Sequence, residues 1–84
     1  MNAMAGSKES NDCLITIESS DKTKIEINSI VGAFFYDQIY KVVEDTLTEE
    51  NIFNVHVIVE DKGALDYTIK SRLLTAIERM REDV

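Results

Sequence analysis

The stretch "IFNVHVIVEDKGALDYTIKSRLLTAIERM", residues 52–80, changes its period partway along. Phe53, Val55, Val57 and Val59 fall on one side of an extended chain, with Asn54, His56 and Ile58 on the other. Such alternation belongs to a half-buried strand. After "DKGA", at 61–64, Leu65, Ile69, Leu73, Ala76, Ile77 and Met80 recur at helical spacing and predict an amphipathic helix. Asp66 near its start and Arg79 and Arg81 near its end suit the helix dipole. "LDYTIK" also alternates, so a fourth strand with a shorter helix competes over 64–70. The unbroken helical pattern from Leu65 to Met80 favours the longer helix.

Upstream, "CLITIES" sets Cys13, Ile15 and Ile17 against Leu14, Thr16 and Glu18. "KIEIN" sets Ile25 and Ile27 against Lys24 and Glu26. With the polar turn "SDKT" between them, these runs read as an antiparallel hairpin. Residues 29–50 take helical spacing through Val31, Phe35, Ile39, Val42, Val43 and Leu47. Ser29 is the candidate N-cap. Gly32 sits early in this helix, and "TEEN" at 48–51 ends it. The predicted order is ββαβα, an α+β two-layer sandwich with an antiparallel-containing sheet, both helices on one face and the other face wet. Residues 1–11 are read as a flexible N-terminal segment ahead of a single domain over 12–84. "MNAM" at 1–4 carries no functional weight in this reading.

With 84 residues, one domain is expected, and a core that buries only about 60% of the unfolded surface. A hydrophobic content of 44% separates the chain from disordered sequences. No apolar run approaches the roughly 20 residues of a membrane span, and no leader pattern is visible. A single cysteine, Cys13, excludes an internal disulfide and fits a reducing cytoplasm. The formal charge of −7 argues against nucleic acid, which demands clustered lysine and arginine. It suits solubility or docking on basic surfaces.

Catalytic equipment is sparse. His56 is the only histidine, expected on the open sheet face, with no nucleophile at a recognisable spacing. A surface or partner contact describes it better than a general base. Cys13 opens a strand on the apolar side and reads as a small buried hydrophobe. "DKG" lacks the ligand ladder of a calcium loop, no metal site is expected, and glycines 6, 32 and 63 form no phosphate loop. Glu44, Asp45, Glu49 and Glu50 read as a solvated helix face. Residue types thus describe a small acidic module that binds, carries or regulates. They do not single out one of its serines.

Three segments carry a resemblance. "DKGALDYTIKSRL" at 61–73 resembles the segment of the citrate lyase acyl carrier protein family, the gamma subunit, in which DKGALD precedes a basic, Arg-containing helix. "INSIV" at 27–31 is similar to the family's I-N-S-S-V, and "GSKESND" at 6–12 to its G-T-x-E-S-x-D. Phe35 and Ile39 also fall where that family has Phe and Ile. The resemblance spans residues 5 to about 80. Ser7 replaces the usual Thr, and Lys8 a usual apolar residue. The related delta subunit of malonate decarboxylase typically has D-F-G-A-T-P in place of DKGALD. The Leu65-Asp66 pair and the absence of Pro favour citrate lyase.

The resemblance implies that Ser10 carries 2'-(5''-phosphoribosyl)-3'-dephospho-CoA through a phosphodiester. The thiol of that arm would hold acetyl and citryl thioesters in the cleavage of citrate to acetate and oxaloacetate. An alpha subunit would exchange acetyl for citrate, and a beta subunit would cleave the citryl thioester. The carrier itself would catalyse neither step. A prosthetic-group transferase and an acetate-activating ligase are further implied partners, with no nucleic acid and no membrane. Glu9 and Asp12, flanking Ser10, are expected to repel the arm's phosphates and keep it in solvent. The alternatives are a malonate decarboxylase carrier and a non-carrying interaction or scaffold module.

Overall fold

The computed structural model describes residues 1–30 and 32–82. Its elements are β1 (Asn2–Gly6), β2 (Cys13–Ser19), β3 (Lys24–Ser29), a 3-10 turn (Gly32–Phe34), α1 (Tyr36–Glu49), β4 (Val55–Asp61) and α2 (Asp66–Glu82). The predicted α+β sandwich is present, with one strand more. Asn2–Gly6, expected within the flexible N-terminal segment over 1–11, instead pairs antiparallel with β2. Its alternation is hard to see because the inward positions, Ala3 and Ala5, are small.

The sheet order is β1-β2-β4-β3. The expected hairpin between β2 and β3 does not form. β4 lies between them, antiparallel to β2 and parallel to β3. The physical reason is the connection out of β3. A helix leads from β3 to β4, and such a crossover lays the next strand parallel beside the first. The link 20–23 therefore has to bridge two strand spacings, roughly 10 Å, which four extended residues can span. It wraps the start of β4, where Ser20 N donates to Asn54 O (2.9 Å) and Asn54 N donates to Thr23 Oγ1 (2.9 Å).

Inward residues of the sheet, Ala5, Cys13, Ile15, Ile17, Val55, Val57 and Val59, meet Ile39, Val43 and Leu47 of α1 and Ile69, Leu73, Ala76 and Ile77 of α2. None of these is more than 4% exposed. Fully burying one such Val, Leu or Ile side chain contributes about 1.5–3 kcal/mol.

α1 begins a turn and a half later than its spacing suggests, and Ser29 is not its cap. Ser29 is the last residue of β3, in register with Asp61, and its hydroxyl is committed to that side chain. Gly32 has φ +57°, outside the right-handed helical region, so an α-helix cannot run through it, and a short 3-10 turn over Gly32–Phe34 precedes α1. Val31 of the predicted stripe lies outside the described residues, and Phe35 is half exposed at 46%. The helix ends in a Schellman motif. Asn51, at φ +55°, donates its N–H to Thr48 O, and Ile52 donates to Leu47 O.

α2 follows the predicted stripe from Ile69 to Met80, which decides 64–70 in favour of a helix starting at Asp66. Leu65 precedes its first turn and is exposed. Among the described residues, no helix is long and apolar enough to cross a membrane.

Candidate functional site

Ser10 sits in the connection between β1 and β2, and local chemistry dictates that loop's shape. Gly6 leaves β1 at φ +100°, and Ser7 N donates to Cys13 O (3.1 Å). Asp12 N then donates to Glu9 O (3.1 Å), closing a turn over 9–12. Its third residue, Asn11, has φ +65°, the signature of a type II turn. Asparagine is among the few non-glycine residues that tolerate this region. Asn11 N donates to Lys62 O (2.8 Å) and Lys62 N to Asp12 O (2.9 Å), so two residues face one across the ladder, as in a β-bulge. Ser10 occupies the second position of the turn and is exposed. Its hydroxyl makes no hydrogen bond among the described residues.

Asp12 anchors the loop. Arg72 of α2 donates from Nε to Oδ1 (3.0 Å) and from Nη2 to Oδ2 (2.9 Å). Ser7 Oγ donates to Oδ2 (2.7 Å) and Cys13 N to Oδ1 (2.7 Å). A bidentate arginine pair fixes orientation as well as charge. The Arg72 guanidinium, then Ser7 and the Cys13 amide, hold the Asp12 carboxyl down to about 2. The same pairing raises the pKa of Arg72. Asp12 is therefore not an isolated charge beside Ser10: its carboxylate is paired with the Arg72 guanidinium.

Behind the loop, Asp61 is 2% exposed. Ser29 Oγ donates to its Oδ2 (2.7 Å), Ala64 N to its Oδ1 (2.9 Å) and Ile30 N to its carbonyl (3.2 Å). "GSKESND", the "INSI" part of "INSIV" and "DKGALD", far apart in sequence, therefore meet at one end of the sheet. Asp61 continues the inward series Val55, Val57, Val59, so its burial was legible in the alternation. The Arg72–Asp12 pair had no such signal, because it joins residues 60 positions apart.

Other candidates lie elsewhere. His56 is on the open sheet face, with Nδ1 3.1 Å from Glu18 Oε1 and Nε2 3.5 Å from Glu26 Oε1. Its partners in register are Glu18 on one neighbouring strand and Lys24 on the other. Cys13 is 0% exposed; burial above all, with the nearby Asp12 and Asp61 charges, pushes its thiol up to about 12. Lys8 pairs with Glu60 (3.1 Å). Among the described residues, no group of three or more His, Cys, Asp and Glu could hold a metal ion.

The family model described as malonate decarboxylase delta subunit (MdcD), an ACP family, matches residues 1–80. A citrate lyase acyl carrier protein of Treponema denticola is 44% identical over 80 residues, covering 95% of this chain and 92% of the relative. Those of Halothermothrix orenii and Oenococcus oeni are 42% and 45% identical, covering 92% of this chain and 83% and 80% of the relatives. At these identities over nearly the whole length of both partners, the chain belongs to the citrate lyase acyl carrier protein family.

Proposed function

We propose that this chain is the acyl carrier subunit of a cytoplasmic citrate lyase, and that Ser10 is the attachment point of its prosthetic group, 2'-(5''-phosphoribosyl)-3'-dephospho-CoA. The observation that carries the reading is the presentation of Ser10. It stands exposed at the corner of a turn, its hydroxyl unengaged among the described residues, while Asn11, Asp12 and Lys62 hold the turn to the body. These residues fit covalent attachment, because a transferase needs an approachable hydroxyl on a loop of defined shape.

When bound, the group supplies a terminal thiol able to carry acyl groups as thioesters. The chain's own residues would hold and present it. Arg72 and Asp12 keep the base of the loop in place, and Asp61 ties the loop's neighbour, 61–64, to Ser29. Tethering confines the thiol near partner sites and raises its effective concentration to the millimolar range. The alpha and beta subunits would perform the acyl exchange and the cleavage, with the carrier contributing no catalytic group. The transferase and the acetate-activating ligase complete the set of partners.

Co-expression with the prosthetic-group transferase and its substrate, followed by intact mass, tests the assignment. One added group is expected, absent from Ser10→Ala. No addition, or addition that persists in Ser10→Ala, refutes it and favours a non-carrying module.

A further inference from the structure

Beside the Ser10 turn, a groove of about 490 Å³ opens between the start of α1 and the start of α2. Its walls are Phe35, Ile39, Leu65 and Tyr67, and its rim carries Gln38 and Asp66. Tyr67 is 72% exposed and Leu65 59%, a large apolar and aromatic surface for so small a chain to leave in water. The volume lies within the range of small-ligand sites, roughly 300–1,000 Å³. Gly63, which also lines the groove, adjoins the turn. A Cβ at Gly63 would lie 3.6 Å from Asn11 Oδ1, and Asn11 directly follows Ser10.

We infer that this groove binds the purine base of the prosthetic group carried on Ser10. The inference rests on the carrier reading above and adds to it where the arm goes. From Ser10 the arm runs through a phosphodiester and the added ribose to the 2'-oxygen of the adenosine, so adenine is the first aromatic element reached and lies well ahead of the thiol. A purine has flat apolar faces and a polar edge, and the groove offers both kinds of partner. Phe35 and Tyr67 supply aromatic surface, and stacking of a base on an aromatic side chain contributes without regard to sequence. At the rim, Gln38 Nε2 donates to Asp66 Oδ1 (2.9 Å) and Oδ2 (3.0 Å). The amide carbonyl of Gln38 and the Asp66 carboxylate present acceptor atoms to an exocyclic amine. Attachment at Ser10 makes the encounter intramolecular, so weak contacts suffice. Arg72 pairs with Asp12, so the positive guanidinium offsets one of the two negative charges near Ser10.

The test uses the full chain loaded by the transferase, with intact mass proving one added group. In NMR spectra the adenine H2 and H8 resonances are expected upfield of their positions in free dephospho-CoA, with NOEs to ring protons of Tyr67 and Phe35. Tyr67→Ala should remove most of that shift and Tyr67→Phe should retain it. Tyr67 is exposed, so neither change threatens the fold. A loaded chain whose adenine resonances match free dephospho-CoA, or whose shift survives Tyr67→Ala, overturns the inference and leaves the carrier reading intact. A chain that takes up no mass overturns both.

Discussion

Gly6→Ala tests whether the shape of the Ser10 loop is set by backbone sterics. Gly6 has φ +100°, and an added Cβ would overlap the Cys13 carbonyl oxygen and come within 3.0 Å of its carbon and 3.3 Å of Arg72 Cδ. The left-handed conformation alone costs an L-residue about 1–2 kcal/mol. The overlap is with backbone, so it cannot be relieved by a side chain turning away. The Cys13 carbonyl also accepts the Ser7 N–H at 3.1 Å, and separating the strands there sacrifices that bond, a further loss of about 0.5–1.5 kcal/mol. With some displacement of buried Cys13, the total comes to about 2–4 kcal/mol. For a domain of this size each kcal/mol shifts Tm by about 4–8 °C, so a fall on the order of 10–30 °C is expected. Gly32→Ala is the internal control. Gly32 also has a positive φ, +57°, but no described atom lies within 4 Å of its Cβ position. That change should cost only the conformational part, about 1–2 kcal/mol. Urea unfolding followed by circular dichroism measures both. If Gly6→Ala costs no more than Gly32→Ala, the argument from overlap is refuted.

Asp61→Ala removes the acceptor for Ser29 Oγ and Ala64 N in a buried setting and should destabilise the chain by about 2–4 kcal/mol in the same assay. Asp12 is held at about 2, below the roughly 3.9 of an unfolded carboxyl, so its contribution is present above about pH 4 and is lost as pH falls toward 2. Asp12→Asn should therefore lie closest to wild type in stability near pH 2 and diverge from it as pH rises to about 5; a constant gap over that window counts against the Arg72 pairing. Cys13, buried and pushed up to about 12, should resist thiol reagents in the native chain and react only with unfolding. Its raised value also predicts stability lost as pH climbs from about 9 through 12, an effect that Cys13→Ala should remove; stoichiometric native labelling would refute the burial argument.

Much of the fold can be read from periodicity, because burial on one face leaves a record in the chain. Cys13-Ile15-Ile17, Val55-Val57-Val59 and the Ile69-to-Met80 stripe were all legible, and with them the sandwich. Strand neighbours were not. Alternation says which face is buried and nothing about which strand lies alongside, so β2 and β3 read as a hairpin although β4 lies between them. The order strand–helix–strand from β3 to β4 held the clue, since a crossover favours parallel neighbours. The proposal of Ser10 came only through resemblance, in residues 6–12 and 61–73 together. That these two stretches touch, through Asn11, Asp12 and Lys62, is a fact of three dimensions. The same holds for Arg72 on Asp12 and Ser29 on Asp61. Hydrogen bonds between distant residues impose no period on the chain, so the sequence carries their partners without saying that they meet. Sequence alone determined which residues could be buried and which hydroxyl could be offered; tertiary structure decided what surrounds that hydroxyl, because only packing brings a strand end, a turn and a helix face to one place.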